Sequence, residues 1–204
     1  MRLYNRRTTD IIPDPHQRMT GKFRNTYRIS SARAPWWDYS NEGVYFLTLC
    51  AYRHEMLFGD IRTENGDQTR LLESPIGTIV LQEWQRSFKT RTELFCDAFV
   101  LMPNHLHAIL RIANPDPPTV KSGNPAHTPT SAAYRPPKSI SSFVAGFKSS
   151  ATKKINALRN TPGAPVWQTR FHDHIIRNTA EHYRITTYIE NNPANWPKDR
   201  YYMQ

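Results

Sequence analysis

Leu94-Phe-Cys-Asp-Ala-Phe-Val-Leu-Met102, then Pro103-Asn104, then His105-Leu-His-Ala-Ile-Leu-Arg-Ile112 is the stretch on which the reading of this chain turns. Both flanks are rich in aromatic and aliphatic residues, and the Pro-Asn pair between them is turn chemistry. The stretch predicts two adjacent strands, 94–102 and 105–112, joined tightly at 103–104. Side chains alternate along a strand, so His105 and His107 project from one face while Leu106 enters the opposite layer.

Outward from this pair the periodicity alternates between strand and helix. Toward the N-terminus, residues 43–52 form an apolar, β-branched and aromatic run that predicts a buried strand. Residues 60–72, with Asn65-Gly66-Asp67 in the middle, predict a small hairpin or an exposed loop. Ser74-Pro75 has the cap-then-proline pattern of a helix start, and Ile76, Ile79, Val80, Glu83, Trp84 and Phe88 follow on one face. On the other side, residues 113–137 are crowded with proline and lack any apolar period, which predicts a flexible surface insertion. From Lys138 a helical stripe returns through Ile140, Phe143, Val144, Phe147, Ala151, Ile155 and Leu158, and Pro162-Gly163 ends it. Residues 166–176 predict a fourth strand, and Asn178-Thr179 caps a last helix that runs to about Asn192, before Pro193. The order β, α, β, β, α, β, α predicts an α+β protein. Its layout is a ferredoxin-like (RRM-like) four-stranded antiparallel sheet with packed helices and one further C-terminal helix.

Composition bounds the function class. The 204 residues are 38% hydrophobic, enough for one domain with a core and some arms. No apolar run reaches the roughly 18 residues a membrane span needs, and the first residues lack the apolar stretch of a secretory signal. Cys50 and Cys96 both fall in strand-like apolar runs, so two buried thiols are expected, in a cytoplasmic setting and with no membrane partner. Lys and Arg number 27 against 17 acids, a net charge of +10 that favours a polyanion partner. Residues 1–33 hold six of those ten net charges, with Tyr4, Phe23 and Tyr27 interleaved. The expected organisation is a basic arm over 1–35 and a domain over 36–204.

Three groups of residues carry potential chemistry. His105 and His107 on one strand face form a bidentate platform for a metal, and the plainer alternative is two ordinary histidines near a strand end. His172-Asp-His174 repeats the spacing on the fourth strand, with roles in supporting the site, in DNA contact, in the core or at the surface all open. Arg184, Tyr188 and Asn192 lie at i, i+4 and i+8 on one stripe of the last helix. A tyrosine nucleophile needs a cation nearby, and an amide oxygen one turn on can complete a metal shell with two histidines. The alternative is that Tyr188 packs the helix on the sheet and Asn192 caps it.

Met102-Pro-Asn-His-Leu-His, Val166-Trp-Gln-Thr-Arg-Phe-His-Asp-His174 and Tyr188-Ile-Glu-Asn-Asn-Pro193, in that order, resemble the successive signatures of the REP-associated tyrosine transposases. These are single-tyrosine HUH enzymes related to small insertion-sequence transposases, and the resemblance spans residues 36–197. It implies that His105, His107 and Asn192 hold Mg²⁺ or Mn²⁺ and that Tyr188 is the nucleophile. It also implies cleavage and rejoining of single-stranded DNA through a 5′-phosphotyrosine, on hairpin-forming repeats. The protein would then be nucleoid-associated, as a monomer or homodimer. Two rival readings remain at this point. One is a non-catalytic nucleic-acid hairpin-binding module on the same fold. The other is a metal-dependent hydrolase with a water nucleophile, for which Asp173 and Glu190 are the candidate carboxylates.

Overall fold

In the computed structural model, residues 42–64, 68–113 and 138–202 are described, together with the backbone of two short strands nearer the N-terminus. The chain separates into two units, 1–34 and 35–204. In the first, β1 (Lys22–Phe23) pairs antiparallel with β2 (Thr26–Tyr27). The remainder of the expected basic arm, and the expected insertion from residue 114 on, lie outside the described residues.

The second unit is built on a four-stranded antiparallel sheet of β3 (Gly43–Cys50), β6 (Leu94–Leu101), β7 (His105–Ile112) and β8 (His172–Ile176). The spatial order is β6-β7-β3-β8, so β7 and β3 are central, and the ferredoxin-like expectation holds. Between β3 and the first helix, β4 (Gly59–Glu64) and β5 (Gln68–Glu73) form a separate two-stranded hairpin, as the Asn-Gly-Asp stretch suggests. Helices α1 (Pro75–Phe88) and α2 (Ile140–Arg159) precede β6 and β8, and α3 (Thr179–Asn191) follows β8. The caps match the sequence signals. Ser74 accepts from Gly77 N at 3.0 Å, and Asn178 accepts from Glu181 N at 2.8 Å. An Asn cap with Glu three residues on satisfies amides that would otherwise lack partners in the first turn of α3.

Strand alternation assigns the two faces. Tyr45, Leu47 and Leu49 of β3 and Leu106, Ala108, Leu110 and Ile112 of β7 join the large core beneath α1 and α2. Val44, Phe46 and Ile109 face the other way, where Ile176 and the α3 residues Ile185 and Ile189 form a smaller cluster. His105 and His107 share the parity of Ile109, so they lie on the α3 face. Glu83, placed by its spacing on the buried face of α1, is a carboxylate with only 2% exposure. Lys154 and Ser150 of α2 pair with it, which ties the two helices together.

Two sequence expectations need correction. The fourth strand starts at His172, six residues later than expected, and Trp167 makes only an isolated bridge to Ala51. Between the bridge and the strand the ladder is interrupted, and there Lys148 Nζ donates to the carbonyls of Gln168 (2.7 Å) and Arg170 (3.4 Å). Cys50 is buried as expected, but Cys96 is exposed. It sits on an edge strand, where the register shifts between Cys96 and Ala98 and no further strand covers it.

Candidate active site on the third helix face

β7 presents its two histidines side by side, with ring centroids 4.6 Å apart. His105 is 0% exposed and His107 1%. His107 stacks on Phe46 of the neighbouring strand at 5.3 Å, and Thr48 Oγ1 lies 2.9 Å from its Nδ1. His105 Nδ1 lies 2.9 Å from Asn104 Oδ1 in the turn before the strand. Burial holds both imidazoles down at about 3, with neighbouring positive groups adding to the effect. Both rings are therefore neutral near pH 7, the state in which imidazole offers a lone pair.

Of the Arg184, Tyr188, Asn192 stripe on α3, Tyr188 meets the histidine pair. Tyr188 Oη lies 3.1 Å from His107 Nε2, while the ring remains 43% exposed. Burial raises the Tyr188 phenol above its usual range, and the Asp199 carboxylate adds to this. Tyr183, five residues earlier, is 73% exposed on another side of α3. Asn192 is buried, its amide nitrogen donating to Asp199 Oδ2 at 3.2 Å. Its Oδ1, like His105 Nε2, is buried and has no hydrogen-bond partner among the described residues. A buried acceptor without a donor costs roughly 1–3 kcal/mol, so each is a lone pair that a cation or donor could satisfy.

Asp199 was not anticipated. His105, His107 and Asp199 each offer a ligand atom, and those atoms all lie within 4.8 Å of one another, a set suited to a divalent cation. Only tertiary structure brings it there. The chain leaves α3 after its cap at Asn192, buries Trp196 in a 3₁₀ turn (Trp196–Lys198), and returns to the histidines, where Tyr201 packs on His105 at 4.6 Å between centroids. Neither expected carboxylate is at the site. Asp173 pairs with Leu47, on the face that carries α1 and α2, and Glu190 is exposed on α3. The second His-x-His pair shares the α3 face but not the cluster. His174 Nε2 meets Glu181 Oε1 at 2.7 Å and ties β8 to the start of α3, and His172 is exposed at 6.3 Å from Phe46.

Beside Tyr188 a cleft of about 530 Å³ opens, lined among others by Arg184, Asn192, Asn195, Lys198 and Arg200. Its three cations against the single carboxylate of Asp199 suit a phosphodiester backbone. No helix among the described residues is long and apolar enough to cross a membrane.

The sheet order and this face define a class: a ferredoxin-like domain carrying a buried histidine pair, with a helical tyrosine directed at it. A solved structure of a REP-associated tyrosine transposase bound to a REP hairpin has the same fold, with a TM-score of 0.51 and 19% identity over 82% of this chain and 74% of that one. No family model matches the sequence. An uncharacterized protein of Haemophilus influenzae is 33% identical over 190 residues, 91% of this chain and 99% of that one, and the chain belongs to its family.

Proposed function

We propose that this protein is a DNA transposase that cuts and rejoins single-stranded DNA with Tyr188 as nucleophile. The observation that carries the reading is the approach of Tyr188 Oη to 3.1 Å from His107 Nε2, inside a cluster with two further buried lone pairs left unpartnered. The transposase that shares the fold was solved with a REP hairpin, which supports a hairpin with flanking single strand as the substrate here.

The residues fit a divalent cation. Two neutral imidazoles and the Asn192 amide oxygen, with Asp199 adjacent, form the mixed nitrogen and oxygen set that suits Mn²⁺ or Mg²⁺. When bound there, such an ion supplies positive charge that polarises the scissile phosphate and stabilises a phenolate. Arg184, Lys198 and Arg200 hold the backbone in the cleft. Tyr188 Oη forms a bond to phosphorus as the bond from phosphorus to the 3′-oxygen breaks. The phenol gives up one proton, and the departing 3′-oxygen takes one up. The product is a 5′-phosphotyrosine and a free 3′-hydroxyl. One phosphoester replaces another, so a second 3′-hydroxyl can reverse the step and join strands without an energy source.

One observation favours a second reading. The Asp199 carboxylate beside the histidines is what a hydrolase with a water nucleophile would use. A labelled hairpin oligonucleotide incubated with the protein and Mn²⁺, then run on a denaturing gel, separates the two. The transposase reading requires a protein-linked DNA band, and cleavage with no linked band at any time would favour hydrolysis.

A further inference from the structure

We infer that Asn104 is a positioning residue that fixes His105 as its Nδ1–H tautomer and so turns the Nε2 lone pair toward His107, Asn192 and Asp199. The inference rests on the reading of His105 as a ligand. It assigns a task to a turn residue that the sequence motif contains but the chemistry above leaves unused.

The hydrogen bonds around Asn104 leave one arrangement. Its amide nitrogen donates to the carbonyl of His54 at 3.2 Å and to that of Tyr201 at 2.8 Å. Carbonyl oxygens only accept, so the NH₂ end is held on that side and Oδ1 is turned to His105 Nδ1, 2.9 Å away. Oδ1 also only accepts, so Nδ1 must carry the proton. In a neutral ring that leaves Nε2 with its lone pair, the atom found buried and unpartnered. Nothing in the imidazole itself selects this tautomer. The selection comes from the amide, and the amide is 0% exposed.

The backbone that holds Asn104 is itself unusual. Arg53 and His54 adopt positive φ values of 53° and 57°, a left-handed conformation that side chains rarely take. The turn thereby directs the His54 carbonyl at the Asn104 amide, and the Ala51 amide donates to the Asn104 carbonyl at 2.8 Å. Two consecutive non-glycine residues in this region, next to the histidine pair, are the kind of local strain that persists where it holds functional geometry. An outer partner that orients a ligating histidine through its second nitrogen is a general feature of metal sites.

The test uses the metal-free protein first. Long-range ¹H–¹⁵N correlation spectra distinguish the two tautomers of each histidine, and His105 is expected as Nδ1–H. Finding it as Nε2–H in the unaltered protein would overturn the inference without any variant. Asn104→Ala removes the acceptor and should move His105 toward Nε2–H and weaken Mn²⁺ binding about ten- to a hundredfold in a direct titration. Asn104→Asp keeps an acceptor at the same place and should retain the Nδ1–H signature. An Asn104→Ala protein that melts lower but keeps both the tautomer and the Mn²⁺ affinity would show a purely structural role and overturn the proposal. None of these readouts depends on strand cleavage. An Nδ1–H ring in a protein that never forms a DNA adduct would leave this inference standing and remove the transposase reading.

Discussion

Replacing His107 with Gln and following stability against pH probes the buried pair directly. In an unfolded chain an imidazole titrates near 6.5, whereas burial holds His107 at about 3 in the fold. Above roughly pH 7 the ring is neutral in both states and contributes no pH dependence. Between the two values only the unfolded chain binds the extra proton, so stability falls as pH falls. By about pH 4.5 the unfolded ring has gained about two pH units of protonation free energy that the folded ring has not, or roughly 2.7 kcal/mol. Carboxylates elsewhere also titrate in this range, but they are common to the unaltered protein and the variant. The quantity to measure is therefore the difference between the two unfolding free energies, from urea titrations at several pH values. That difference should be level above about pH 7 and shift by roughly 2.7 kcal/mol against the unaltered protein by about pH 4.5. A difference that stays level throughout would mean His107 titrates in the fold as it does unfolded, one that shifts the opposite way would mean it is held charged, and either would end the case for a lone-pair donor there.

Three further outcomes are expected. Tyr188→Phe removes the hydroxyl that meets His107 and leaves Nε2 unpartnered, costing about 1–2 kcal/mol. For a chain of this length that is a fall of roughly 2–8 °C in Tm by calorimetry, and an unchanged Tm would deny the contact. Glu83→Gln removes the charge that Lys154 and Ser150 hold between α1 and α2, and should destabilise by about 1–3 kcal/mol in a denaturant titration. A neutral result there would mean the buried carboxylate contributes nothing to helix pairing. Deleting residues 1–34 should weaken single-stranded DNA binding and flatten the dependence of log affinity on log salt, since six net positive charges lie in residues 1–33. An equal slope with and without the segment would separate those charges from the DNA.

Much of the fold was legible because its signals are local. The period of two over 94–112 placed both histidines on one face, and Ser74 and Asn178 marked two helix starts where the structure has them. The stripe Arg184, Tyr188, Asn192 follows from helix spacing alone; in the structure all three line one cleft, and Tyr188 meets His107. What was not legible depends on contacts between distant segments. Asp199 reaches the site only because the chain turns back after Pro193 and buries Trp196, and residues 193–202 carry no period that announces this. Asp173 was a reasonable carboxylate from its place between two histidines, yet alternation in β8 sends it to the opposite face from them. The late start of β8 goes with contacts from Lys148, a residue 24 positions before it, to the carbonyls of Gln168 and Arg170, which no local pattern announces. Asn104 read as a turn residue, and its grip on His105 depends on carbonyls from residues 54 and 201.

The central claim is that Tyr188 forms a covalent bond to DNA. The direct measurement is to trap the protein on a 5′-labelled-product hairpin oligonucleotide with Mn²⁺, digest it, and locate the nucleotide-bearing peptide by mass spectrometry. The modified peptide is expected to contain Tyr188 and to carry the 5′-phosphate side of the cut strand, and Tyr188→Phe is expected to give no adduct while still binding the hairpin. An adduct on Tyr183 or any other residue, or one that persists in the Tyr188→Phe protein, would contradict it.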